Sequence, residues 1–236
     1  MDVTQVDVDA AVQVLRPDFV AIALLVSGIC NAPTDAESEA WLAAAEAAAR
    51  SGPTAGSHAH LAAWQEAYRS FGAKPQRTPS SVEALGQRAM KGGLPRVNWL
   101  VDLYNAISVA HGLPVGGEDA GRFVGALRLI RASGHEPFDT IKDGVPVTEL
   151  PAAGEVVWAD DVGVTCRRWN WRQGTRTRLS ESSTDVLFLL ERLAPYSLSS
   201  LEAASEDLNE KLRGRFPEAT IARRWLGAAR DDQSAG

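Results

Sequence analysis

The chain has 236 residues, of which 45% are hydrophobic and 23% charged, with a formal net charge of −6. A chain of this length buries about 70% of the surface that its unfolded form exposes, so folding requires neither a metal nor a disulfide. The acidic balance excludes a protein that holds nucleic acid by a broad basic field: any RNA contact has to be local, and DNA is not an expected partner.

Cys30 and Cys166 sit far apart, and neither has a second cysteine or a histidine at metal-ligand spacing. A reducing cytoplasm is the simpler reading, and no cofactor is expected. Met1 to Ala10 carry aspartates where a secretory signal would carry lysines, and the longest apolar run, Phe19 to Val26, is too short to span a bilayer. Neither export nor a membrane partner is expected. No linker divides the chain, which predicts a single domain of two lobes over 1–230 and a frayed tail at 231–236. The sequence carries no signal for an oligomeric partner.

In chain order, the run Phe19 to Val26 is bounded by Pro17-Asp18 and Ser27-Gly28, the pattern of a central strand buried on both faces. Thr34 to Arg50 is alanine-rich, with Trp41, Leu42 and Ala45 at helical spacing, and Ser51-Gly52-Pro53 ends it. A second helix is predicted from about His58 to Ser70, its stripe of Leu61, Trp64 and Tyr68 turned to the core. His58 and His60 fall in a stretch rich in small residues that also reads as exposed linker. A third helix starts at Ser80 or Ser81 and stops at Gly92-Gly93, and a fourth spans Val97 to Ala110.

Beyond Pro114 the texture changes to short β-type segments: Val145-Pro-Val-Thr148, Glu155-Val-Val-Trp158, Val162-Gly-Val-Thr-Cys-Arg167 and Thr175-Arg-Thr177. Asp143-Gly144 and Gln173-Gly174 are hairpin candidates, because glycine supplies the positive φ of tight loops. Val186 to Leu193 reads as a buried strand or a helix start, since periodicity does not separate the two in short apolar runs. Leu198, Leu201, Leu208, Leu212 and Phe216 keep helical register, Pro217 breaks it, and a last amphipathic piece carries Arg223, Arg224 and Trp225.

No nucleophile elbow, phosphate-binding loop, zinc-protease helix or dinucleotide fingerprint is present. Two segments carry polar groups where chemistry needs them. Asn98, Asp102 and Asn105, spaced four and three apart, line one face of an otherwise apolar helix. They either cap the helix and fasten loops, or frame a pocket for an α-amino group or a ribose hydroxyl. Arg167, Arg168, Arg172, Arg176 and Arg178 crowd within twelve residues, either as a phosphate dock or as a salt-bridged hairpin. On a strand, Trp169 and Trp171 share one face, where they stack a base or fill the core.

The pattern Asn98-x-x-Val101-Asp102-x-x-Asn105, followed by Gly112-x-Pro114 and Asp119, resembles a stretch of the B3/4 editing domain of the phenylalanyl-tRNA synthetase β-chain. Free-standing members of that family are more similar. They share Gly72-Ala-Lys-Pro75, Pro79-Ser80-Ser81, Leu94-Pro-Arg96, Arg167-Arg-Trp-Asn-Trp171 and Thr175-Arg-Thr177, a resemblance covering about residues 65 to 195. Three positions and one motif depart from the synthetase pattern. Its histidine aligns with Gly116, and its arginine falls on Pro95, one residue before Arg96. Its substrate-recognising glutamate has an out-of-register counterpart in Glu191, and its Thr-Asp-Ala-Ser motif is missing, so tyrosine specificity does not transfer.

The resemblance implies an α+β fold of two lobes, with mixed β-sheets flanked by helices. It also implies trans-acting hydrolysis of the ester of a mischarged aminoacyl-tRNA by a positioned water, with the aminoacylated tRNA acceptor end as partner. On that reading Asn98, Asn170 and Thr177 are the candidate catalytic groups. Asp102, Asn105, Arg96, Arg167, Trp169, Trp171, Thr175 and Arg176 are the candidate substrate-binding groups, with Asp102 at the substrate amine and Arg167 and Arg176 at phosphate or adenosine. Two alternatives stand beside it: a non-catalytic module that binds an amino acid or aminoacyl-tRNA, and an enzyme that passes the aminoacyl group to another acceptor.

Overall fold

An apolar strand without a polar face needs a cover on each side, and this chain supplies two different ones. The computed structural model describes residues 1–52 and 57–227; the tail expected at 231–236 lies outside the described residues. Its first half holds β1 (Val6–Val8), α1 (Ala10–Leu15), β2 (Val20–Ser27), α2 (Ala36–Ser51), α3 (Ser57–Ser70), α4 (Ser81–Lys91) and α5 (Trp99–His111). Then come β3 (Val115–Asp119), β4 (Leu127–Arg131), β5 (Phe138–Lys142), β6 (Val145–Glu149), β7 (Val156–Ala159), β8 (Val164–Arg167) and β9 (Arg172–Gln173). β10 (Asp185–Arg192), α6 (Leu198–Arg215) and β11 (Thr220–Gly227) complete an α+β fold.

The described residues form an antiparallel four-stranded sheet in the order β11-β2-β10-β3. A mixed five-stranded sheet runs β1-β4-β7-β8-β9, with β1 and β4 parallel, and β5 and β6 make a separate hairpin. Side chains alternate across a strand. Val20, Ile22, Leu24 and Val26 of β2, with Val186, Phe188 and Leu190 of β10, therefore share one face and pack on Trp99, Leu103 and Ile107 of α5 and Leu201, Leu208 and Leu212 of α6. The intervening Ala21, Ala23, Leu25, Leu187 and Leu189 meet Val6, Leu127, Leu129, Val156 and Trp158 of the second sheet, together with Trp64 and Tyr68 of α3. The four-stranded sheet is thus the middle layer.

Local signals placed several boundaries. Asn98 caps α5 by accepting from the Val101 N–H at 3.1 Å, and Gly112 ends the helix in the left-handed region at φ 70. Asp143 and Gly144, at φ 52 and φ 80, join β5 to β6 with positive φ at both central residues, as a tight two-residue hairpin requires.

Four expectations are corrected. Gln173-Gly174 is not the hairpin turn: β8 and β9 pair through Arg167 and Arg172, so the chain reverses across Arg168 to Trp171. Arg168 and Trp169 both take positive φ there, which removes Trp169 and Trp171 from a common strand face. Thr175-Arg-Thr177 is a turn rather than a strand, and within it the Asp119 N–H donates to the Thr177 carbonyl. His60 is not linker but a fully buried member of α3. Val186 to Leu193 resolves as a strand because both of its edges are paired, and the amphipathic end piece is β11, paired with β2.

His60 ties three elements together. Its Nε2 accepts from Trp64 Nε1 at 2.9 Å and from the Leu193 N–H at 3.4 Å, which places the proton on Nδ1 for donation to the Gly112 carbonyl at 3.0 Å. Burial lowers its pKa from 6.5 to about 4. The neutral ring's contribution is fully present above 6.5 and is lost as pH falls through about 4. His60→Phe should therefore cost about 1–3 kcal/mol near neutrality, by stranding the Trp64 N–H, with the gap to wild type narrowing toward about pH 4. Denaturant midpoints across that range check both parts.

Candidate functional site

The asparagine-aspartate helix face divides into structural and open groups. Asn98 is used as the α5 cap. Asp102, fully buried, accepts from the Val97 N–H at 2.9 Å and from Thr34 Oγ1 at 2.5 Å, and so fastens the segment before α5 to the approach of α2. Arg96 is held at the surface by Glu39 and Glu46. Asn105 differs: it is buried, yet its amide has no hydrogen-bond partner among the described residues, and it borders a cavity.

That cavity, of about 240 Å³, lies between the two sheets and is closed at one side by α4 and α5. Its floor comes from β3 and β10. Glu118 pairs with Leu187 and Gly116 with Leu189, so these four share the face on which Glu191 also stands. Glu191 is four residues beyond Leu187, which puts the two glutamates about 13 Å apart along the strands. Gly116 lies between them, and a Cβ added to it would find Gln173 Nε2 as its nearest neighbour at 3.8 Å. The opposite wall is aromatic, from Trp158, Trp169 and Trp171, with Cys166 and Asn170.

Both floor glutamates are buried and accept only neutral donors. Glu118 takes hydrogen bonds from Thr165 Oγ1 at 3.2 Å and from Thr177 Oγ1. Glu191 takes them from Trp158 Nε1 at 2.9 Å and from Asn170 Nδ2 at 2.8 Å, while Asn170 Oδ1 accepts from the Tyr68 hydroxyl at 2.8 Å. Burial pushes each carboxyl from 4.5 up to about 7, opposed by these hydrogen bonds, and Glu118 raises Glu191 further. Burial also pushes the Cys166 thiol well up, which keeps it protonated and disqualifies it as a thiolate nucleophile. Cations stand at the rim instead. Arg88 of α4 is exposed and makes no ion pair among the described residues, and Arg172 is half-buried beside it in the lining.

The remaining expected residues are engaged in structure. Arg167 forms a bidentate pair with Glu155, with both contacts at 2.8 Å, and reaches Glu149 at 3.0 Å. Arg176 is clamped on Asp160 at 2.6 Å and 2.8 Å, and Thr175 lies with it by the β5–β6 hairpin, away from the cavity. The cavity therefore gathers Asn105, Asn170, Trp169 and Trp171, with Thr177 reaching it through Glu118. It also contains Arg172, which the sequence offered as part of the arginine cluster, and Glu118, Gln173 and Arg88, which sequence reasoning left out. The available signal was parity: an acid at the end of an apolar run falls on one definite face once the strand's partners are known.

Among the described residues, no three of histidine, cysteine, aspartate and glutamate are arranged to hold a metal ion, and no helix is long and apolar enough to cross a membrane. A second hollow of about 350 Å³, lined by Leu61, Val82, Met90 and Val109, has among the described residues only the exposed Arg50 and His58 as ionisable neighbours.

A comparison with solved structures finds similarity to an N-terminal fragment of the phenylalanyl-tRNA synthetase β-subunit from Pyrococcus horikoshii, at 12% identity and a TM-score of 0.49. The alignment covers 92% of this chain and 49% of the fragment, so the chain spans about half the length of that structure. A search of curated protein sequences gives no match. The model of the B3/4 domain family matches residues 63–221, which include α4, α5, both floor strands and the Trp-Asn-Trp turn. The chain belongs to the B3/4 domain family.

Proposed function

We propose that the cavity receives the aminoacyl end of a tRNA and hydrolyses its ester, with the domain acting in trans as an aminoacyl-tRNA deacylase. The observation that carries this reading is the order of charge along the cavity, with unpaired arginines at the mouth and buried carboxylates on the floor. An aminoacyl-nucleotide has the complementary order, with phosphate outside and ammonium inside. Arg88 and Arg172 meet the terminal phosphates, and Trp171 offers an aromatic surface on which the last base stacks, its ring flanked by the Arg168 and Arg172 guanidiniums at 4.4 Å and 5.9 Å from the centroid.

The chemistry is undemanding, because an aminoacyl ester is already activated. Water adds to the carbonyl carbon, and the bond to the ribose oxygen breaks. That oxygen takes up one proton of the water, the other passes to solvent, and the amino acid leaves as its carboxylate. The free amide of Asn105 is the donor placed to stabilise the developing oxyanion. Asn170 and Thr177 act by holding Glu191 and Glu118, which bind the substrate's cationic end. Asn98, Asp102, Arg96 and Arg167 serve the scaffold. A second reading, binding without turnover, is favoured by Gly116, which leaves the floor bare where the related synthetase domains carry a histidine. Release of free amino acid from a panel of mischarged tRNAs by the purified protein separates the two, and a panel without release above buffer sinks the hydrolytic one.

Asn105→Ala should lower kcat about 100-fold, the usual effect of removing one oxyanion donor. Asn98→Ala should instead cost about 1 kcal/mol of stability through loss of a helix cap. Steady-state deacylation and thermal melts distinguish these outcomes. Arg88→Glu is expected to raise KM for an aminoacyl-tRNA while leaving the binding of a small aminoacyl amide unchanged, as titrations with the two ligands would reveal.

The glutamates give activity and stability opposite pH dependences. Activity rises as they ionise through about 7. Their contribution to stability is full below the ordinary value of 4.5 and is lost as pH rises through about 7. Glu118→Gln should then stabilise the fold at about pH 8, by on the order of 1–3 kcal/mol, while lowering kcat/KM. A variant that melted below wild type at that pH would show Glu118 to be better accommodated than its burial implies.

A further inference from the structure

Several groups in the cavity lack partners, and together they describe a ligand. Glu118 and Glu191 are each buried to within 3% of full coverage, and neither is in an ion pair among the described residues. Arg176, whose charge acts on Glu118, is already committed to Asp160. A carboxylate offers about four acceptor sites, and each of these uses two on neutral donors. The Asn105 amide has no hydrogen-bond partner among the described residues and borders the same cavity. The site therefore has spare acceptors at two separated points and a spare amide on its wall.

The floor between the two acids is open. Gly116 sits opposite Leu189, between the Glu118–Leu187 pair and Glu191, and a side chain there would stand in the path from one carboxylate to the other. A neutral aminoacyl group brings a single ammonium. Once bound, it would leave the second carboxylate desolvated and unpaired beneath its apolar side chain, which is the expensive arrangement for a buried charge. A ligand with cations at both ends covers both acids, and the walls of Trp158, Trp169 and Tyr104 suit a cation moving past aromatic faces.

Resting on the reading of this cavity as an aminoacyl site, we propose that its substrates carry basic amino acids, with the α-ammonium and the side-chain cation bound to Glu118 and Glu191 at opposite ends of the floor. The ester carbonyl between them takes the Asn105 amide. The charged groups facing the ligand are then the two glutamates on the floor, with Arg88 and Arg172 at the mouth nearest the nucleotide phosphates.

The decisive comparison is calorimetric, with lysinamide against norleucinamide, which keeps the chain length and lacks the second ammonium. Lysinamide should bind at least about tenfold more tightly, equivalent to about 1.4 kcal/mol. Its affinity should drop by a similar factor in Glu118→Gln and in Glu191→Gln, variants that relieve buried charge and whose folding is checked by melting. Equal binding of the two amides, tighter binding of norleucinamide, or no binding of either at millimolar concentration overturns the proposal. Ester turnover is scored separately on lysyl- and norleucyl-tRNA. A lysinamide preference without turnover retains the cationic specificity and removes the hydrolytic reading, whereas turnover without preference does the reverse.

Discussion

The pairing of β2 with β10 is the constraint from which the rest of the molecule follows. All eight residues of each strand are in register, from Asp185 opposite Ser27 to Arg192 opposite Val20, and the ladder is covered on both faces. Because side chains alternate, a slip of one residue would exchange the two faces completely. Leu187, Leu189 and Glu191 would then point at α5 and α6, and Phe188 would enter the space between the sheets. The apolar residues could tolerate such an exchange in part, but Glu191 could not, because only the inter-sheet side offers it the Trp158 and Asn170 donors. The acid on the cavity floor thus helps to specify the register that places it there.

The arginine-rich hairpin is the second fixed point, and its purpose is positional. Arg168 and Trp169 hold left-handed backbone at φ 49 and φ 67, which is unfavourable for residues with side chains and persists only where the surroundings over-determine it. The surroundings do so here. Arg167 is locked on Glu155, the Trp169 N–H donates to the Val156 carbonyl at 2.7 Å, and the Trp169 indole is fully buried against Phe19 and Trp64. The product of that strain is the placement of Asn170 and Trp171 at the cavity wall. A salt bridge that looks like a phosphate dock in sequence is, in three dimensions, the clamp on a turn.

Much of the fold was legible because its signals are local. The bounded apolar run gave β2, helical periodicity gave α2 to α5, and Asp143-Gly144 gave a hairpin. The illegible parts share a different physics. The Trp-Asn-Trp turn violates local preference, with two non-glycine residues at positive φ, so a propensity-based reading straightens it into a strand. His60 stands among small residues, and its burial is decided by Trp64, Gly112 and Leu193, the last of them 133 residues away. Glu118 follows two glycines and precedes an aspartate, a context that reads as a polar turn. Only the pairing of β3 with β10 shows that its side chain enters the cavity while the Gly117 face abuts Phe188. Of the three polar positions on the asparagine-aspartate helix, Asn98 and Asp102 are tied into the scaffold, and Asn105 is left without a hydrogen-bond partner among the described residues.

Gly116 connects these observations. On the floor it is the position between the two glutamates, and of the cavity's features it is the one that a single side chain would abolish. In the synthetase-like pattern a histidine aligns there. This chain has a glycine at the centre of the floor and a carboxylate at its end. The two residues are coupled by geometry. A carboxylate at 118 without the glycine would be screened from Glu191 by the side chain at 116, and a glycine without the carboxylate would leave a wider apolar hollow with a single anionic end. Together they give a floor with two acids joined by open space, and on the proposed reading a cationic ligand offsets their cost in folding stability.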